Sequence, residues 1–205
     1  TTHPERERVL ALRALADRLH TMRINRGSLE LDLPEAKIVL DEDDPLMIRD
    51  VRKAKPDEWV KKAYNLVEEA MLAANEAVGS FLDEAGVAVP WRVHEAPDPE
   101  RLELFAAFAR MLGVTIHVDR PDWPRKELLR LMGKESSRPL FFQLLRSLKQ
   151  AAYRVENVGH YALAASTYLH FTSPIRRYPD LLVHRQVKAV ARWEGAVIEP
   201  AVMEP

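Results

Sequence analysis

The run Thr172-Ser173-Pro174-Ile175-Arg176-Arg177-Tyr178-Pro179-Asp180 gathers side chains suited to phosphate chemistry. Proline presets the backbone angle for a helix start, and the first amides of a helix lack partners within it. With Ser173 as cap and Pro174 at the first helical position, the free amides and the helix dipole favour an anion. Arg176 then falls in the first turn, where its planar fork can grip a phosphate at two points. From Thr172 to Arg192, five bases (Arg176, Arg177, Arg185, Lys188, Arg192) stand against one Asp, a local surplus of four positive charges. An ordinary capped helix with surface arginines uses the same residues. Just upstream, His160, Tyr161, Tyr168, His170 and Phe171 are rings that suit either base stacking or a buried segment. Asp180 and His184, four apart, suit an oriented general base or a structural hydrogen bond.

Two other groups invite chemistry. Asp41-Glu42-Asp43-Asp44 offers four carboxylates in a row. A calcium loop needs oxygen ligands spread over a longer loop around a central Gly, which is missing here, so the reading is a solvated hairpin turn. On the long helix expected after it, Tyr64, Glu68, Met71 and Asn75 share one face. That sets a carboxylate and an amide beside an apolar stripe, where they need substrate hydroxyls or backbone groups as partners.

Those residues need elements to hold them. Val9, Leu12, Leu15, Ala16, Leu19 and Met22 recur at helical spacing and Gly27 suits a helix stop. Leu29, Leu31 and Leu33 alternate with acids as in a half-buried strand. Ile38–Leu40 and Leu46–Val51 read as two further strands around the acidic turn. A helix from about Asp57 to Ala85 follows, with Val60, Ala63, Tyr64, Val67, Ala70, Met71, Ala74, Val78 and Phe81 as its stripe and Gly86 as its end. Another runs from Pro99 to Leu112 behind Asp98. Residues 113–124 read as a short strand or loop. Lys126–Met132 and Pro139–Ala152 read as helical, and Asn157–Thr172 as partly extended. The last element is a turn of helix at Ser173, a kink at Pro179 and a helix to about Trp193.

Composition sets the outer limits. The chain has 205 residues, 47% hydrophobic and 30% charged, which is globular rather than disordered composition. It has no cysteine, which excludes a disulfide scaffold, a thiolate zinc site and a cysteine nucleophile. No apolar run approaches the roughly 20 residues of a membrane-spanning helix, and the first residues lack a signal peptide's apolar core. A soluble, reducing compartment, the cytoplasm, is the expectation. Thirty bases balance 31 acids, so any polyanion site must be local. The acids concentrate over Glu30–Asp50, where eight stand against two bases.

The chain resembles the catalytic domain of the ribonuclease II and ribonuclease R family. The most specific run is Gly159-His160-Tyr161-Ala162-Leu163 through His170-Phe171-Thr172-Ser173-Pro174-Ile175-Arg176-Arg177-Tyr178-Pro179-Asp180-Leu181 to His184-Arg185. Weaker matches keep the family's order: Asp32–Lys37, Glu68–Asn75, and Arg92-Val93-His94-Glu95 with Pro97-Asp98-Pro99. Leu144–Ala151 is similar to the ribonuclease R branch. The resemblance implies an α+β fold of long helices packed on part of a mixed β-sheet. It implies hydrolysis of single-stranded RNA from its 3′ end, releasing 5′-mononucleotides with magnesium.

The resemblance also gives residues roles. The arginine matching Arg176 holds the attacked phosphate, and the glutamate matching Glu68 lies near the terminal riboses and selects RNA. Thr172, Ser173, Arg177, Tyr178 and His170 complete the expected RNA contacts. The family's magnesium-binding aspartate cluster precedes the matched region, so the metal ligands are expected outside this chain. The family's S1 and cold-shock barrels have no counterpart, and the aromatic that stacks on the 3′ base in one member matches Leu31. Residues 1–205 thus read as the C-terminal half of the catalytic domain, whose other half lies on the same or a partner polypeptide. A non-catalytic RNA-binding or scaffold member of the family is the alternative.

Overall fold

The structure, a computed structural model, describes residues 5–30, 35–42, 44, 46–54, 58–116 and 138–191. In chain order these form α1 (Arg6–Arg26), β1 (Glu35–Leu40), β2 (Ile48–Ala54), α2 (Glu58–Glu84) and β3 (Trp91–Val93). Then come α3 (Pro99–Met111), α4 (Arg138–Ser147), β4 (Ala152–Arg154) and α5 (Tyr178–Val190). The architecture is α+β, as expected. β1 and β2 form an antiparallel hairpin, with a register shift between Val39 and Leu40. β3 pairs antiparallel with β4, and single bridges join it antiparallel to Leu169 and, at His94, parallel to His160. The mixed pairing is therefore confined to one small patch around β3.

Helix ends follow local chemistry. Gly27 ends α1 at φ 101°, a left-handed angle that frees its amide and the Ser28 amide to bond back to Ile24 and Arg23. Pro99 starts α3 behind Asp98, but that side chain does not cap the helix. Lys149 Nζ takes it instead, at 2.9 Å. The acidic turn is a hairpin turn: Asp41 accepts from the Asp44 amide and Asp44 from the Leu46 amide.

Two apolar clusters hold the chain. Phe105 and Ala109 of α3 pack on Leu140 and Leu144 of α4 and on Ile116. Leu82 of α2, Trp91 and Val93 of β3, Leu169, and Val183 of α5 make the second.

Several expectations need correction. Most of the stripe read on α2 does not face the core: Val60, Tyr64, Val67 and Phe81 are exposed, Val78 alone of those named packs on the second cluster, and the buried line is Glu69, Asn75, Gly79 and Leu82. Likewise Val9, Leu12, Leu15 and Met22 of α1 are exposed, while Ala16 and Arg23 are buried. The two helices meet through ions rather than through their apolar stripes. Arg23 grips Glu69 with Nη2 at 2.6 Å and Nε at 3.1 Å, and its Nη1 donates to Ser28. Arg26 forks onto Glu76 nearby. Periodicity marks an apolar stripe but not what covers it. Helix α4 ends at Ser147, five residues before the expected end, because Ala152 begins β4. Residues 29–30 carry no strand, and the rest of the strand expected over 29–33 lies outside the described residues. So do Lys126–Met132 and most of 113–124.

Candidate functional site

The segment from Thr172 to Asp180 is a turn followed by a helix, not a helix from Ser173. The Arg176 and Arg177 amides bond back to the Ser173 carbonyl at 3.3 and 3.1 Å, and α5 begins at Tyr178 with Pro179 in its first turn. Asp180 reaches back across the turn. Fully buried, its Oδ1 accepts from the Ser173 amide at 2.8 Å and from Arg177 Nη2 at 2.8 Å. The carboxylate thus ties the Ser173 amide to the Arg177 side chain, and it fixes both feet of the turn.

That geometry separates two neighbouring arginines. Arg177 is turned inward onto Asp180. Arg176 stands exposed at the turn, and no carboxylate among the described residues pairs with it. Ile175 is fully exposed and Tyr178 is 63% exposed beside it. Beneath them Thr172 Oγ1, Arg177 Nε and Asp180 Oδ2 are buried without a hydrogen-bond partner among the described residues. Buried polar atoms are ordinarily paired, so this turn carries unmet polar capacity. His184 does not pair with Asp180. It stacks on Phe171 at 4.1 Å and its Nε2 bonds the Phe171 carbonyl at 2.9 Å, the structural role.

The upstream rings form a continuous edge-to-face series: His94, His160, Tyr168, His170 and Tyr153, with neighbouring centroids 5.1 to 5.7 Å apart. Tyr168 is buried, and Asn75 of α2 ties the series down by donating to its hydroxyl and accepting from the Phe171 amide. Asn75 therefore serves the protein's own groups. Glu68, next to the buried Glu69, is exposed on α2. Burial works to lower the Arg23 pKa, but the Glu69 hydrogen bond and charge, with smaller help from Glu30 and Glu68, raise it overall.

The loop that carries His160 turns at Gly159, φ 76°, where an added Cβ would meet the Ala165 carbonyl at 3.1 Å. The Gly159 amide donates to Asn157 Oδ1. His94 fixes the loop from the other side: its Nδ1 accepts from the Ala162 amide, so its Nε2–H donates to the Lys149 carbonyl.

Burial, reinforced for His160 by His94 and Arg92 and for His170 by Arg177, pushes both imidazoles down to about 4. Both rings are neutral at pH 7. The unfolded imidazole titrates near 6.5, so between 6.5 and 4 the unfolded chain binds more protons and stability falls as pH falls. Urea midpoints measured from pH 7.5 to 4.5 should decline, and the decline should be shallower in a His160→Gln/His170→Gln variant. An equal slope in both proteins would show that these rings are not its source.

The sequence alone assigns no role to Arg92, Tyr153 or Glu69, although Arg92 and Glu69 lie in segments that match the family. A usable signal for the first was the alternation Trp91-Arg92-Val93-His94, which puts Trp91 and Val93 in the core and Arg92 and His94 on the opposite face. The described residues include no group of three or more His, Asp or Glu that could hold a metal ion. No described helix is long and apolar enough to cross a membrane.

An exposed arginine thus stands on a pinned turn, beside a series of rings that is buried at His94 and Tyr168, on an α+β scaffold. The chain belongs to the RNB domain family, whose model matches residues 1–192. It is 37% identical over 201 residues to ribonuclease R 1 of Lactococcus lactis, covering 89% of this chain and 23% of that protein. It is 38% identical over 203 residues to ribonuclease R of Vibrio cholerae, covering 93% and 24%. Mycoplasma genitalium RNase R, solved in complex with ribose-methylated single-stranded RNA, superposes with a TM-score of 0.78 at 30% identity, over 88% of this chain and 28% of that one. The chain spans about a quarter of the length of the curated relatives it matches.

Proposed function

We propose that this chain is the C-terminal half of the catalytic domain of a hydrolytic exoribonuclease. That enzyme shortens single-stranded RNA from its 3′ end and releases 5′-mononucleotides. The observation that carries the reading is Arg176, unpaired among the described residues and exposed on a turn that Asp180 holds rigid. A guanidinium carried on a backbone so held can meet the charge that develops on an attacked phosphate with only its own side chain left to order. Ser173, Thr172 and Tyr178 border the same turn and contact the strand. Arg177 acts through Asp180 as a positioning residue, and His170 contributes a neutral ring behind them.

Magnesium belongs to this chemistry through carboxylates outside the described residues, in the half of the domain that this chain complements. The exposed stripes of α1 (Val9, Leu12, Leu15) and α2 (Val60, Tyr64, Val67) support that complement, since isolated domains rarely leave such faces in water. Cytoplasmic residence goes with the reading.

The deciding experiment incubates 3′-end-labelled and 5′-end-labelled single-stranded RNA with magnesium and either this chain or the complete enzyme. The complete enzyme should release labelled 5′-mononucleotide from the 3′ end, and this chain should release none. Binding without shortening by the complete protein would instead identify a non-catalytic RNA-binding member of the family. Mononucleotide release by this chain alone would overturn the half-domain reading.

Glu68 provides discrimination. A carboxylate that accepts from a 2′-hydroxyl gives a charge-assisted hydrogen bond that DNA lacks. Glu68→Ala should lower the RNA-to-DNA rate ratio about ten-fold, the size of one hydrogen bond to a charged group. Oligonucleotides ending in ribose or deoxyribose measure it, and an unchanged ratio removes Glu68 from this role.

A further inference from the structure

A groove of about 680 Å³ runs between β3 and the end of α4, on the face of β3 away from the core. Arg92, His160 and Lys149 bring polar groups to it, and Leu145 and Leu148 form an apolar wall. Its charges are unequal in availability. Lys149 Nζ is held by Glu95 and Asp98, both at 2.9 Å, and Arg154 takes the other oxygen of Glu95 at 2.6 Å. Arg92 has no carboxylate among the described residues. Its guanidinium lies over the Tyr153 ring, 5.0 Å from the centroid, and that ring's hydroxyl is bonded to His170 Nδ1 at 2.6 Å. The aromatic face orients the guanidinium without using its N–H donors, which have no acceptor among the described residues. His160 adds a neutral donor: its Nδ1 accepts from the Leu163 amide, so its proton sits on Nε2.

The groove and the Arg176 turn are neighbours. His170, bonded to the hydroxyl of the Tyr153 ring that Arg92 covers, lies just before Thr172, where the turn opens. A cation with no counter-ion among the described residues, a neutral imidazole donor and an apolar wall suit a chain that alternates anions with flat apolar groups. Single-stranded nucleic acid is such a chain.

We infer that Arg92 holds a second phosphodiester of the bound RNA strand, in the groove between β3 and α4, alongside the phosphate at Arg176. This rests on the exoribonuclease reading and adds a subsite to it. Tyr153 positions the guanidinium, and His160 donates to the same linkage or its ribose.

The test uses the complete enzyme and single-stranded RNA in which one linkage at a time is a neutral methylphosphonate. One linkage other than the scissile one should weaken binding by about ten-fold, as expected for a hydrogen bond to a charged group. Arg92→Gln should weaken binding of unmodified RNA similarly and erase the penalty at that linkage. It should also make the slope of log affinity against log salt shallower by about 0.7, the value for one phosphate contact on a single strand. If Arg92→Gln fails to fold, as seen by circular dichroism, Arg92→Lys takes its place and should shrink the penalty at that linkage. A scan with no penalty outside the scissile linkage, or a penalty of equal size in wild type and variant, overturns the subsite while leaving the exoribonuclease reading intact. Failure of the unsubstituted enzyme to bind or shorten RNA overturns both.

Discussion

Arg176→Ala in the complete enzyme should lower kcat on single-stranded RNA by about 10²- to 10³-fold, the loss typical of removing one preorganised donor from a transition state. Kd should change by less than about three-fold, because the strand keeps its other contacts and the lost one acts on charge that develops only during attack. Arg176 makes no ion pair with a described residue, so its removal leaves no buried charge behind. That distinguishes it from Arg177, whose truncation strands the fully buried Asp180. Arg176→Lys should recover only part of the rate, since an ammonium keeps the charge but not the two-point fork. Single-turnover rates with Kd from filter binding separate the two quantities. Equal losses in kcat and affinity would mean that Arg176 only helps to bind RNA, and an unchanged kcat would remove it from the reaction.

Glu69→Ala should cost about 3–5 kcal/mol of folding stability, the range for breaking a buried ion pair by removing one partner. Side chains of Arg23 and Glu69 are 9% and 4% exposed, and the guanidinium meets the carboxylate through two nitrogens. Without Glu69, Arg23 keeps Ser28, at 2.9 Å, as its one buried acceptor among the described residues. The apolar residues of α1 contribute little to this contact because most of them face water. Loss of the pair should therefore loosen α1 from α2 before it loosens the two apolar clusters. An Arg23→Met/Glu69→Leu double variant of similar volume should return close to the unsubstituted stability, because an apolar pair avoids the desolvation of two charges. Urea denaturation gives both values. A loss below about 1 kcal/mol for Glu69→Ala, the size of a surface pair, would show that the pair does not pin the helices.

Much of the scaffold was legible because short-range rules decide it. Gly27 and Gly86 mark helix ends where a left-handed angle is needed, and Pro99 marks a start. The hairpin around the acidic turn followed from two β-rich runs flanking carboxylates. The faces of α1 and α2 were not legible. Their apolar stripes are real, but the contact between the helices is made by Arg23, Glu69, Arg26 and Glu76, and spacing alone cannot show that two charged residues fifty positions apart will meet. The helix start at Ser173 misled for a related reason. Ser173 and Pro174 have the form of a cap, but the amides of Arg176 and Arg177 turn back to the Ser173 carbonyl and the helix begins only at Tyr178. Arg176 and Arg177 are adjacent and chemically identical in sequence, and only the fold separates the one turned to Asp180 from the one turned outward. Arg92 gave the weakest signal, a single strand alternation, because its availability depends on how Glu95 and Asp98 are shared by Lys149 and Arg154.

The two bonds to Asp180 also bear on entropy. Fixing a residue's backbone costs about 1–2 kcal/mol at room temperature, and a long side chain adds up to about 2 kcal/mol. Because the turn is tied at Ser173 and Arg177, its backbone entropy is lost once, when the protein folds. Only the Arg176 side chain remains to be ordered when a phosphate arrives. An enzyme that repeats one reaction along a strand would otherwise meet the backbone term at every nucleotide. Cutting the tie with Asp180→Ala should therefore show itself as a more negative activation entropy per bond cleaved, with activation enthalpy little changed.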